Sequence, residues 1–136
     1  MLDTNVVSEV MKPQPDSVVL GWFDQLEPQE IFTTSITIAE LLTGVALLPH
    51  GQRRAAVGAR IGRFLSMLED QILDFDASAA LEYAEVRRLR RDLGRPPDPL
   101  DAQIAAIARV HGASVATRNV RDFEGAGVTV VDPWGA

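Results

Sequence analysis

Four acidic residues fall where this chain is expected to pass between strand and helix: Asp3, Glu40, Asp101 and Asp122. Asp3 ends a short apolar stub and precedes Thr4-Asn5. Glu40 and Asp101 sit in the first turns of helices expected from Thr37 and from Pro99. Asp122 closes the run Thr117-Arg118-Asn119-Val120-Arg121-Asp122, just after an apolar segment. Carboxylates gathered in one place repel one another and raise each other's pKa values unless something compensates. The only lysine is Lys12, so a hard divalent cation is the natural compensation. Mg²⁺ takes oxygen ligands, keeps several waters and uses one or two carboxylates directly. A site of that kind holds a phosphodiester, activates a water and stabilises the leaving oxygen.

Each acid also has a plainer reading. Thr37-Ile38-Ala39-Glu40 has the spacing of a capping box, and Asp98-Pro99-Leu100-Asp101 repeats it with proline at the first helical position. Asn119-Val120-Arg121-Asp122 has the same layout. A carboxylate in such a place simply complements the helix dipole. Asp3 has no helix interior to excuse it, although an Asx turn would occupy it.

The elements that must position these residues alternate in type. Residues 1–3 read as the stub of a first strand, followed by a short helix to about Met11 that Pro13 and Pro15 stop. Asp16 and Ser17 open a helix with Val18, Val19, Trp22, Phe23 and Leu26 on its apolar side. Residues 31–34 read as a second strand and 37–48 as a helix, ended by Pro49-His50-Gly51. Residues 53–70 form a long amphipathic helix with Val57, Ile61, Phe64, Leu65 and Leu68 at helical spacing. A third strand at 72–75, a helix at 77–93, a helix at 99–110 ending in His111-Gly112, and strands at 114–117 and 128–131 complete the chain. Strands separated by helices imply right-handed crossovers and a parallel sheet covered on both faces. The fold class expected is therefore α/β, a three-layer α/β/α domain with a central, mostly parallel five-stranded sheet. Sites in such folds lie beyond the carboxyl ends of the strands, near a switch in strand order.

With 136 residues there is room for one domain, 1–136. Cysteine is absent, which excludes disulfides, thiolate zinc sites and cysteine nucleophiles. His50 and His111 are too few for a histidine-rich metal site. The net charge of -6 argues against passive nucleic-acid binding but not against an enzyme whose acids meet a cation. No basic-then-apolar leader is visible and no apolar run approaches the ~20 residues that span a bilayer, so a cytoplasmic location without membrane contact is expected.

Four stretches in register resemble the PIN-domain family, particularly its VapC-type toxins of the FitB-like branch. They are Leu2-Asp3-Thr4-Asn5-Val6-Val7-Ser8-Glu9, Thr34-Ser35-Ile36-Thr37-Ile38-Ala39-Glu40-Leu41, Pro99-Leu100-Asp101-Ala102-Gln103-Ile104-Ala105-Ala106 and Thr117-Arg118-Asn119-Val120-Arg121-Asp122-Phe123. The closing Val130-Val131-Asp132-Pro133-Trp134 is similar too. The resemblance implies that Asp3, Glu40 and Asp101 are the core metal-site acids and Asp122 a fourth, with Asn119 sharing its role. Thr4 and Asn5 then lie beside the first acid, and Thr117 near the fourth. It also implies Mg²⁺ or Mn²⁺, hydrolysis of RNA by a metal-activated water, a homodimer, and a small antitoxin partner docking over the site. Only Met1 and Leu2 precede Asp3, fewer apolar residues than the family carries there, so the first strand is expected to be short or the start to lie upstream.

Arg118 and Arg121 flank the last stretch and are candidates for RNA-phosphate contacts or for solvated surface positions. Ser35, Thr37 and Thr117 are candidates for phosphate contact or for plain capping. Arg87, Arg88, Arg90 and Arg91 with Glu82 and Glu85 read as a solvated charged face. Two rival functions remain at this point. One is phosphotransfer on an aspartate, which needs a supporting lysine that only Lys12 offers. The other is a catalytically silent interaction module on the same fold.

Overall fold

Extended segments in this protein are short because a helix cap follows each of them closely. The computed structural model describes residues 1–136. Asp3 caps helix α1 (Thr4–Val10), its Oδ1 accepting from Thr4 N at 2.8 Å. Strand β1 (Thr33–Thr34) ends in Thr34, which caps α3 (Ser35–Ala46) by accepting from Thr37 N. Strand β2 (Ile72–Leu73) is followed by Asp76, the cap of α5 (Ala77–Asp92). After β3 (Val115–Ala116) the chain enters a 3₁₀ turn at Val120–Asp122, and after β4 (Val130–Val131) another at Pro133–Gly135. Helices α2 (Ser17–Asp24), α4 (Gln52–Leu68) and α6 (Pro99–His111) complete the set. Asp16 caps α2, and Gly112 closes α6 in the left-handed conformation at φ 60°, which glycine adopts without steric cost.

The ladders are parallel. Thr33 lies opposite Ile72, and Val115 opposite Val130. Residues 1–3 lie between the two pairs. Leu2 N donates to Phe32 O at 2.7 Å on one side, while Ala116 N donates to Met1 O at 2.8 Å and Asp3 N to Ala116 O at 3.0 Å on the other. The expected five-stranded sheet is thus present as two two-stranded ladders, with the first segment contributing a single parallel bridge, Leu2 to Ala116. The reason is local: Asp3 already has its side chain on the first turn of α1, so only two residues precede the cap.

Pleating divides the core. Met1 and Val115 enter one buried cluster with Val86, Ile104, Ile107 and Phe123. Their neighbours Leu2 and Ala116 enter the other with Val6, Val7, Leu41, Ile61 and Phe64. Successive strand residues point to opposite faces, so α5 and α6 cover one face and α1, α3 and α4 the other. Helix α6 is buried nearly all round, from Ala102 through Ile104 to Ala108, and its alanines let α5 lie close along it.

Three expectations change. Helix α3 starts at Ser35 rather than Thr37, because Thr34 takes the cap; Glu40 therefore sits in the second turn and no Thr37–Glu40 capping box forms. Val18 is 43% exposed and only Val19 of α2 is fully buried. Arg90 is buried, not part of the solvated face of α5. No helix is long and apolar enough to cross a membrane.

Truncating a fully buried α6 side chain should be costly. Ile104→Ala is expected to lower the unfolding free energy by about 2–5 kcal/mol, read from the urea midpoint at unchanged slope, while Val18→Ala stays within ~0.5 kcal/mol.

Candidate acidic site

Asp3 is 5% exposed, and every donor around it comes from a nearby turn. Its Oδ1 accepts from Thr4 N; its Oδ2 accepts from the Thr117 hydroxyl at 2.8 Å and from Asn5 Nδ2 at 3.4 Å. The Thr117 oxygen in turn accepts from Asn119 N at 3.0 Å and from Asn5 Nδ2 at 3.2 Å. A hydroxyl has one proton and two lone pairs, and this one uses all three. Asn5 Oδ1 accepts from Arg118 N. The first turn of α1 and the loop after β3 are thereby tied together around one buried carboxylate.

Glu40, half-buried on α3, accepts from the Thr4 hydroxyl at 3.0 Å. Thr4 thus links two of the acids, its amide serving Asp3 and its hydroxyl serving Glu40. Asp101 lies in the first turn of α6, yet it does not cap the helix. Asp98 does that, accepting from Leu100 N at 2.9 Å. Asp122 follows at the exposed end of the 3₁₀ turn after β3.

The electrostatics show that these acids share one region. Burial pushes the Asp101 carboxyl up to about 7, and the charges of Asp3, Asp122, Asp98 and Glu40 push in the same direction. No hydrogen bond opposes them at Asp101. Burial also raises Asp3, while donation from Thr117 and Thr4 favours its anion and opposes both the burial and the charge of Asp122. Glu40 is raised by burial first, opposed by the Thr4 hydroxyl and reinforced by Asp3 and Asp98. Acids at positions 3, 40, 101 and 122 therefore converge.

The donor set is all oxygen, which suits a hard cation and excludes soft-metal ligation. No group of three or more of these side chains is drawn tightly enough to enclose an ion by itself. By donor chemistry the residues suit a hard divalent ion.

The supporting residues divide. Thr4 and Asn5 lie beside the first acid, and Thr117, expected near the fourth, donates to the first instead. Asn119 contributes its backbone amide, while its side chain makes no cap bond to the turn that follows. The Arg118 guanidinium lies 5.0 Å from the centroid of the Trp134 ring. Arg121 is exposed, and its carbonyl accepts from Arg90 Nη1 at 2.9 Å. Arg90 was missed: from α5 it reaches the carbonyls of both Arg121 and Glu124, holding the turn that carries Asp122, and its Nε is buried without a partner. The signal was available, because Ala79, Val86 and Arg90 recur at helical spacing on one buried face. Asp98 caps α6 and also adds its field to the site.

Residues 1–127 match the family model described as the PIN domain. VapC ribonuclease Y4jK of Sinorhizobium fredii is 39% identical across 98% of this chain and 96% of its own. Toxin FitB of Neisseria gonorrhoeae is 38% identical across 98% of this chain and 97% of its own. The crystal structure of FitAcB from Neisseria gonorrhoeae superposes with a TM-score of 0.92 at 38% identity, covering 99% of this chain and 98% of that one. The chain belongs to the PIN-domain family. Within that family its similarity runs to VapC ribonucleases and the FitB toxin.

The raised carboxyl of Asp101 gives a signed prediction. Its folded pKa of about 7 exceeds the ~3.9 of an unfolded aspartate. Between those values the folded state binds more protons, so stability falls as pH rises from ~4 to about 7 and is level above. In metal-free buffer Asp101→Asn should flatten that fall and stabilise the protein at pH 8 by on the order of 1–2 kcal/mol, after allowance for solvent screening. Thermal unfolding across pH, run on both proteins, checks it.

Proposed function

We propose that this protein is a divalent-metal-dependent endoribonuclease, the toxin of a toxin–antitoxin pair. One observation carries the reading: acids from four separate parts of the chain converge on a single region with no lysine or arginine side chain neutralising them. Likeness to a VapC ribonuclease and to toxin FitB over nearly the whole chain supports RNA as substrate and a toxic role. Likeness to FitAcB supports a small antitoxin partner. A homodimer, a cytoplasmic location and one domain over 1–136 complete the reading. In it, residues 1–3 serve as the central strand of one five-stranded parallel sheet, which their hydrogen bonds to Phe32 and Ala116 support.

Asp3 and Asp101 would hold Mg²⁺ or Mn²⁺, with Glu40 and Asp122 beside them. When bound, the cation offsets charge on the phosphodiester and on the attacking and leaving oxygens. The chain's own residues supply the rest. Thr117 and Thr4 fix the rotamer of Asp3, and Thr4 orients Glu40. Asp101 has no protein hydrogen-bond donor on its carboxyl, which leaves its oxygens free to meet the cation. Burial of Asp3 and half-burial of Glu40 limit competing solvent.

Purified protein should cleave single-stranded RNA with Mg²⁺ or Mn²⁺ and stop when EDTA is added. Asp3→Asn and Asp101→Asn should each lower the rate by ~10²-fold or more with unchanged circular dichroism. Either variant cutting at the wild-type rate refutes the assigned roles. A titration with no binding at millimolar Mn²⁺ refutes the enzyme and favours a silent interaction module.

A further inference from the structure

A groove of about 370 Å³ opens from the acidic site between α1, α3 and α4. Thr4 and Glu40, hydrogen-bonded to each other, line it together with Leu41 and Val45 and with Arg53 and Arg60 of α4. Most other arginines already have side-chain partners. Arg88 and Arg91 reach Asp92, Arg95 reaches Glu124 and Arg109 reaches Glu82. Arg87 lies over Tyr83, Arg118 over Trp134, and Arg54 meets His50. Arg53 and Arg60 make no ion pair.

The two stand seven positions apart on α4, two helical turns on one face, so their Cα atoms are separated by roughly 10 Å along the axis. Glu40 is the only acid lining the groove, and it belongs to the site. A chain of net charge -6 offers a polyanion few approaches, and this one combines unpaired guanidinium groups with continuity to the acids. Arginine binds phosphate oxygens through a planar fork. Its aliphatic lining, Leu41 and Val45 among it, gives unpaired bases an apolar surface to leave water against, with no sequence readout.

We propose that Arg53 and Arg60 bind the phosphodiester backbone of single-stranded RNA in this groove, on one side of the scissile position. The assignment rests on the ribonuclease reading, but it concerns binding and is measurable apart from cleavage. The α5 groove of Arg87, Arg88 and Arg91 is the weaker rival, since its arginines are engaged by Tyr83, Glu85 and Asp92.

The test is fluorescence anisotropy of a short labelled polyuridylate against the full chain carrying Asp101→Asn, which keeps the RNA intact, over a series of salt concentrations. Removing two phosphate contacts from a single strand should lower the slope of log K against log salt by ~1.4. Arg53→Gln with Arg60→Gln is expected to show that drop and to bind ~10-fold more weakly at 0.1 M salt. Arg63→Gln, which removes one charge from α4 outside the groove lining, should leave both nearly unchanged, and Arg53→Lys with Arg60→Lys should restore most of the slope. An unaltered slope in the double glutamine variant overturns the proposal. So does an equal loss with Arg63→Gln, as does no RNA binding by the parent at low salt. Binding that depends on the two arginines, with a wild-type chain that cuts no RNA in Mg²⁺ or Mn²⁺, keeps the groove and removes the nuclease.

Discussion

A buried carboxylate at the third residue organises this molecule. Asp3 has almost no access to water, so its negative charge must be met by donors from the protein. Those donors come from two places far apart in sequence: the first turn of α1 and Thr117 after β3. To satisfy the charge, residues 1–3 must lie beside β3 and the chain must turn at once into α1. The same demand shortens the first strand to one bridge and sets the Thr117 hydroxyl, whose oxygen then fixes the following loop through Asn119 N. Fold and site are here one constraint, since the bonds that join the two ends of the chain also aim the acid.

Asp3 and Asp101 show how the same side chain acquires different properties. Both are raised by burial, but Asp3 accepts from three donors that favour its anion, whereas Asp101 meets only other negative charges. On the reading offered above both meet the cation, Asp3 with its oxygens already oriented by protein donors and Asp101 with its oxygens free. Asp98 sharpens the contrast. By taking the cap of α6 it leaves Asp101 free of Leu100 N, and its charge still reaches the site.

Much of this was legible in the residues. Alternation of short apolar runs with amphipathic segments gave the layered α/β order, and Asp16, Pro99 and Gly112 marked helix ends where they occur. The acids at 3, 40, 101 and 122 were visible because each stood beside a strand or a helix start. The capping of α3 was not legible: Thr34 and Thr37 both have cap chemistry, and only the position of β1 against β2 decides that Thr34 takes it. The length of the sheet is not legible for a related reason, because side-chain pattern marks where a strand fits and caps decide where it stops. Arg90 was hidden by its neighbours, since a run of arginines looks like a solvated face until helical phase is applied residue by residue.

Arg90 also shows what the site requires beyond its acids. Bringing a guanidinium out of water without a carboxylate partner is unfavourable, and here two carbonyls meet one nitrogen while Nε has none. A hydrophobic residue would fill the same space without that penalty, so packing alone does not explain an arginine there. What the guanidinium adds is a fixed link from α5 to the carbonyls of Arg121 and Glu124, on either side of Asp122 and Phe123. Phe123 is wholly buried, so it anchors the same turn from within the core. The exposed acid at 122 is therefore mounted on a turn held by a core aromatic and a buried cation, which keeps its charge directed toward Asp3 and Asp101 despite the solvent around it. Rigid mounting of the loop and close approach of like charges belong together, because a free loop would relieve the repulsion simply by moving Asp122 away.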